Sequence, residues 1–401
     1  MEHLYPIMPR HLLIILLLSV FIALLGIGII VPVMPVFAES LGAGGLTLGI
    51  IVAAFSLTRG FCQPIVGNLS DRWGRKRFLI SGLFVYGLVG LMMPEATSLG
   101  SLILIRALHG VGSAMIVPVA MAYVADLTPV GREGRYMGML NIAIFTGFGS
   151  GPLIGGFCND RWGMASPFYV MACLSFLAMM LIMVQLPAAP PSPAKAVRSP
   201  GVIKSLRAML ASHRTAGILL ARMATMIVMV PTMALLPLLM HQWFQATGIQ
   251  IGMVIAARTL VNAVLQHPCG RLADRMDKVK FLRLGCLVVS AVMCLVPLAG
   301  NFWVLLGLFV ILGSGEAIIW PTLGALATEE GRHYGQGAMM GAFNLAMSSG
   351  VFIGAIGAGF TSDWLGLSWS FLLIGILVLV LSLVATRLIN RQTVTVSCGS
   401  T

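Results

Sequence analysis

Gly67-Asn-Leu-Ser-Asp71-Arg72-Trp-Gly74-Arg75-Lys76-Arg77 returns 203 residues later as Gly270-Arg-Leu-Ala-Asp274-Arg275-Met-Asp277-Lys278-Val-Lys280. Both are short, basic, glycine-led runs set between long apolar stretches. The same offset holds outward from them. Gly110, Gly112, Ala114 and Pro118 meet Gly313, Gly315, Ala317 and Pro321, and Met137, Gly138 and Asn141 meet Met340, Gly341 and Asn344. Gly151, Asp160 and Gly163 meet Gly354, Asp363 and Gly366. The register runs without a gap from Gly49 to Gly163, so the chain is an internal duplication.

The duplicated unit is apolar. Of 401 residues, 58% are apolar and 9% charged, whereas a soluble domain carries roughly a quarter of charged residues. Apolar runs recur at 11–37, 48–67, 78–94, 99–125, 137–158, 166–186, 215–240, 249–269, 281–299, 303–327, 338–360 and 368–388. Each is long enough to cross a hydrocarbon core about 30 Å thick. None shows the alternation, in segments of about ten residues, of a membrane barrel. The expected fold is therefore an all-α membrane protein of twelve transmembrane helices in two six-helix bundles related by a parallel pseudo-twofold. The bundles are residues 1–186 and 215–401, joined by a cytoplasmic linker at 187–214 that opens on a proline-rich stretch and carries a short amphipathic run around Lys204–Leu210. Such a parallel repeat implies alternating access by rocking of one half against the other. The run from His11 to Phe37 is too long for a signal-peptide core and is expected to be retained.

A net charge of +12 raises the question of a nucleic-acid partner. Its distribution answers it. Apart from Arg161 and four arginines deep within the spans, every Lys and Arg falls toward the side of the N-terminus, which is the positive-inside pattern. Both termini are thus expected in the cytoplasm, with the protein multi-pass in the inner membrane and no nucleic acid bound. The seven cysteines are scattered, and His109, His241 and His267 form no i,i+4 pair, so neither a disulfide framework nor a metal site is indicated. The chain has no phosphate-binding Gly-x4-Gly-Lys-Ser/Thr, which excludes transport driven by its own nucleotide hydrolysis.

The Gly67–Arg77 loop resembles, almost letter for letter, the signature loop of the major facilitator superfamily. Three further stretches are similar to its twelve-helix drug:proton antiporter branch, closest to tetracycline exporters. They are Leu25-Gly26-x5-Pro32-Val33-x-Pro35, Arg106-Ala-Leu-His-Gly110, and Gly147-x3-Gly151-Pro152-x2-Gly155-Gly156. The resemblance implies that Asp71 faces the N-terminus of span eleven, where a helix dipole favours an anion. It also implies that Arg75 pairs with Asp126 at the end of span four. Gly67, Asp71, Arg72, Gly74, Arg75 and Asp126 would then form a latch on the outward-facing state, with Asp274 in its copy. Because Asp277 stands where the first copy has Gly74, the second copy is expected to latch less well. In the last motif, Gly147, Gly151, Gly155 and Gly156 allow close helix approach and Pro152 bends the helix. One departure matters: tetracycline exporters carry an acid in span one where Ala23 stands here, which removes the usual contact for a cationic or chelated drug.

Charges inside the spans are few, and each costs about 2.5–3.5 kcal/mol on insertion scales. Those away from the span ends are Arg59, Arg106, Arg222, Arg258 and Glu316. Arg222 lies near the cytoplasmic boundary and either snorkels or faces inward. Arg106 matches the family position tied to proton coupling. Arg59 and Arg258 sit near the middle of copied spans, one helical turn from equivalence, and each either meets substrate or holds backbone carbonyls and loop acids. Glu316 is the one carboxylate deep in a span; burial favours its neutral form and a neighbouring arginine its ionised form. It is expected to carry the coupling proton, alternating with a pairing to Arg258; the competing reading is a fixed structural ion pair. Asn141, Asn262, Asn344, Gln63, Gln266 and Trp320 are the remaining candidates to line a substrate cavity.

These features predict no enzyme and no cofactor, but a monomeric secondary transporter in a lipid bilayer whose partners are protons and a small-molecule substrate. The leading expectation is proton-coupled efflux of small organic molecules, anionic or zwitterionic because cations outnumber acids in the spans. The alternatives are an uptake symporter for a carboxylate or an iron chelate, and a transporter-like sensor without flux.

Overall fold

The computed structural model describes residues 10–127, 133–187, 202–334 and 336–397, and among them the regular structure is all helical. Every expected span is a helix or a broken pair of helices. The first is α1 (Arg10–Ile30) and α2 (Met34–Ser40), interrupted at residues 31–33 where Pro32 cannot continue the ladder. Then come α3 (Gly45–Trp73), α4 (Arg75–Met92), the pair α5 (Leu99–Ala114) and α6 (Val117–Leu127), α7 (Glu133–Trp162) and α8 (Ser166–Gln185). In the linker lies α9 (Val202–Ala211), the amphipathic stretch anticipated from the sequence. The second copy runs through α10 (His213–Ile227), a π-helical turn at Pro231–Leu235 and α11 (Leu236–Phe244). It continues with α12 (Gly248–Arg275), α13 (Lys278–Leu295), α14 (Phe302–Tyr334), α15 (Gln336–Leu365) and α16 (Leu367–Ser397).

Among the described residues, eleven spans are long and apolar enough by themselves to cross a membrane. The expected span 78–94 is α4, whose first three residues, Arg75, Lys76 and Arg77, are basic and shorten its apolar length. Several helices outrun their apolar cores. α14 extends to Tyr334 and α16 to Ser397, beyond the apolar limits read at 327 and 388. A helix does not stop where hydrocarbon stops; it stops where a cap, a glycine or a proline ends it.

The contacts group the chain into two units. One takes in residues up to Ala43, Ala54–Lys195 and Ala246–Ala256, and the other Gly44–Ala53, Ala196–Gln245 and the chain from Ala257. The division passes through α3 and α12, not only through the linker, because the first turns of each helix pack on the other copy's residues. Gly49 lies against the Ala355 carbonyl in unit 2, and Gly252 against that of Pro152 in unit 1.

Each unit repeats the other's packing. In unit 1, α1 packs on α7 and α8, and α4 on α8 and α5. In unit 2, α10 packs on α15 and α16, and α13 on α16 and α14. The copied acids act alike as well. Asp160 accepts hydrogen bonds from the backbone N–H of Gly248 (2.8 Å) and Ile249 (2.9 Å), capping α12. Asp363 accepts from Gly45 and Leu46 (2.8 Å to the latter), capping α3. Both acids meet the unsatisfied donors and positive end of a helix N-terminus. The sequence had marked them only as matched positions.

The copies differ at the turn after the signature loop. Gly74 has φ +94°, a left-handed conformation that suits glycine. Its counterpart Asp277 has φ −61° and caps α13 through Oδ1, which accepts from Val279 (2.9 Å) and Lys280 (3.1 Å). The departure noted in the sequence is therefore a different solution to starting the same helix.

Candidate functional site

Four of the five charges predicted inside the spans fall into two clusters, one in each unit. In unit 2, Glu316 on α14 is 9% exposed and Arg258 on α12 is 5% exposed. The Arg258 guanidinium grips both carboxylate oxygens: Nε donates to Oε2 at 2.9 Å, and Nη2 pairs with Oε1. Nη1 donates to the Thr232 hydroxyl in the π-helical turn, and Asn262 offers its amide to Oε2 at 3.5 Å. The sequence dictates the meeting. Gly313, one turn before Glu316, lies against the backbone of Arg258, where any Cβ would collide. The two helices therefore touch where the charges sit. A side-on guanidinium–carboxylate pair with further hydrogen bonds is the geometry in which a buried ion pair recovers its desolvation cost.

In unit 1, Arg106 on α5 donates from Nη1 toward His109 Nδ1 at 3.0 Å and stacks 4.6 Å from the Phe55 ring centroid. His109 is fully buried between Phe55 and Tyr86, with ring centroids at 5.1 and 4.6 Å. Arg59 lies on α3 one turn beyond Phe55, and its Nε finds no hydrogen-bond partner, nor does that of Arg106. Among the described residues no carboxylate pairs with either arginine. Arg59 thus belongs to unit 1 and Arg258 to unit 2, and their surroundings differ.

Other predicted residues are dispersed. Asn262 joins the ion pair. Gln63 and Gln266 are half-buried, and Asn141 and Asn344 lie on exposed helix faces. Trp320 is half-buried and already stacked, 4.6 Å below the guanidinium of Arg222.

Arg222 corrects the snorkelling alternative. It is 5% exposed, its guanidinium held between Trp320 and Phe343 (4.7 Å to the latter's centroid), with Nη2 3.1 Å from the Met347 sulfur. A snorkelling head must reach water, and this one is enclosed by aromatic rings. Phe343 and Met347 escaped notice because an i,i+4 pair of apolar residues reads as ordinary core spacing.

The glycines of the Gly147–Gly156 motif show what that spacing does. A Cβ at Gly151 would strike Gly28, and one at Gly155 the Ile29 carbonyl, both on α1. At Gly156 it would strike Gly248 at the start of α12. The motif is a seam of backbone-to-backbone contact.

At the end of the spans the second copy of the expected Arg75–Asp126 pairing is well populated. Lys278 lies 3.1 Å from Glu329, which Arg214 also meets at 2.7 Å, and Arg214 reaches Glu330 at 3.2 Å. Glu330 further accepts from Thr215 at 2.7 Å. Lys278 and Glu329 stand 203 residues after Arg75 and Asp126, so the pairing expected in the first copy has its equivalent here. The sequence reading missed Glu329, Glu330 and Arg214. The side chains of Asp71, Asp126 and Asp274 lie outside the described residues. Gly67, Gly74 and Arg75 sit half-buried at the α3–α4 turn, and Arg72 is exposed.

Eleven apolar spans, a duplicated packing scheme and the seam motif agree with one family, whose sequence profile matches residues 16–242 and 215–397. The chain belongs to the Major Facilitator Superfamily. It is a multi-pass membrane transporter, and not an enzyme. An uncharacterized MFS-type transporter of Methanocaldococcus jannaschii is 30% identical over 93% of this chain and 97% of its own length. Multidrug resistance protein 2 of Bacillus subtilis is 38% identical, but over 42% of each chain. Among solved structures, the human organic anion transporter MFSD10 superposes with a TM-score of 0.66 at 20% identity, covering 94% of this chain and 99% of that one. These matches place the chain in the superfamily and its all-α fold.

Proposed function

We propose that this transporter is a proton-coupled exporter of small organic zwitterions or anions that works by alternating access in the cytoplasmic membrane, with both termini in the cytoplasm. The observation that carries the reading is the Arg258–Glu316 pair: a carboxylate buried mid-span, whose charge is balanced by one arginine and whose protonation would leave that arginine unpaired. The partly aligned relative named for multidrug resistance supports the direction. The arginines of unit 1, without a carboxylate partner among the described residues, support an anionic group on the substrate.

The geometry ties the sign of coupling to the substrate's charge. A zwitterion would place its cationic group against Glu316, displacing Arg258, and its anionic group on an arginine. A proton on Glu316 then expels the cationic group, so proton and substrate exclude each other and the protein exchanges them. A pure anion behaves otherwise. It would take Arg258 from Glu316, the freed carboxylate would pick up a proton, and both would travel together. The same ion pair thus favours a second reading, proton–anion symport, for a substrate with no cationic group.

Proton counting in detergent separates the two. Starting from protein protonated at Glu316, an exchanger releases that proton when substrate binds; starting from the Arg258–Glu316 ion pair, a symporter takes one up. In cells, Glu316→Gln should abolish efflux driven by an inward-acid gradient while leaving substrate exchange intact; gradient-driven efflux at the parent rate would refute the role of Glu316.

A further inference from the structure

We infer that Arg222 is a second anion-binding group, built to receive the carboxylate of an organic acid in the plane of its guanidinium. The inference rests on the proposal that the substrate carries an anionic group, and it adds a site in unit 2 that does not involve the Arg258–Glu316 pair. Arg222 lies nine residues into α10, roughly 13 Å from the helix start at about 1.5 Å per residue.

A cation buried there needs an answer, and the answer present is incomplete. The two faces of the guanidinium are covered by Trp320 and Phe343 at 4.6 and 4.7 Å, contacts that stabilise a cation through ring quadrupoles. One N–H of Nη2 points to the Met347 sulfur at 3.1 Å, a weak acceptor. Nε is buried with no hydrogen-bond partner, and no carboxylate pairs with Arg222 among the described residues. Thr225 does not help, because its hydroxyl donates to the Arg222 carbonyl at 3.0 Å.

What remains unanswered is the edge that carries Nε. With both faces stacked, a ligand reaches Arg222 only in the ring plane, where parallel N–H donors match two oxygens of a planar oxyanion. The edge is flanked by Met347, whose flexible thioether suits an apolar body of variable shape. A carboxylate on an apolar frame fits these neighbours. A bare inorganic anion would leave the apolar wall unused. The first copy has no such site: Ser19, Val117 and Leu140 stand 203 residues before Arg222, Trp320 and Phe343.

The test is equilibrium binding of benzoate, with neutral benzamide as control, to purified full-length protein by thermal shift and calorimetry. Benzoate should raise the melting temperature of the parent and benzamide should not. In Arg222→Gln the benzoate affinity should fall about tenfold or more, the scale of a lost charge-assisted pair; any smaller change overturns the inference. A merely structural arginine would lower stability yet leave the preference for benzoate over benzamide unmoved. Should Arg222→Gln fail to fold, Arg222→Lys keeps the charge but replaces the planar edge with a point donor; the same loss is expected, and parent-like affinity overturns the site. Binding needs no flux, so a failure of proton-coupled efflux would leave this result standing.

Discussion

The two copies of the third apolar layer, α3 with α5 and α12 with α14, start from one pattern and end with opposite electrostatics. Phe55, Arg59, Arg106, His109 and Ser113 correspond to Arg258, Asn262, Phe309, Leu312 and Glu316 at the constant offset of 203. The backbones meet alike, since Gly110 abuts α3 as its counterpart Gly313 abuts α12. In unit 2 the arginine occupies the aromatic's place and an acid answers it. In unit 1 Arg106 stacks on Phe55 and meets His109, and no described carboxylate answers it or Arg59. One framework thus carries a balanced ion pair in unit 2 and, in unit 1, a positive cluster that no described carboxylate balances. The difference lies in side chains, not in helix placement.

The sharpest way to break the contrast is to unbalance unit 2. Glu316→Ala should cost about 3–5 kcal/mol of stability, because it leaves Arg258 buried without its partner. Chemical or thermal unfolding in detergent reads it directly. Replacing both partners, Arg258→Met with Glu316→Leu, should recover most of that loss while abolishing proton-linked transport; a double variant as unstable as the single would mean that packing, not charge, holds the helices together.

In unit 1 the opposite balance of effects is expected. Arg59→Gln orphans no described acid, so stability should shift by only about 1 kcal/mol. Affinity for anionic compounds should fall about tenfold, read by isothermal titration. Equal destabilisation by Arg59→Gln and Glu316→Ala would erase the distinction between the clusters. The smallest effect is expected at the end of the spans. Lys278→Ala removes one partly exposed partner from Glu329, which keeps Arg214 at 2.7 Å, and should cost about 0.2–1 kcal/mol in a salt-dependent way.

Residue type and spacing were enough to show the duplication, the helical class, the start of every span to within four residues, and the seam motif. These are one-dimensional properties: an apolar run of sufficient length crosses a bilayer as a helix whatever its neighbours do, and a repeat is visible in register alone. The same holds for Arg258 and Glu316 as residues out of place in hydrocarbon. Tertiary structure decided who answers whom. Nothing in the sequence distinguishes Arg258, gripped by Glu316 and Thr232, from Arg59, whose Nε goes unanswered, because pairing depends on the rotation of one helix against another. Nor does it separate a snorkelling Arg222 from one enclosed by Trp320 and Phe343, more than 90 residues away in the chain. A charge in a membrane announces itself in sequence; its energy is set by contacts that only the folded helices make.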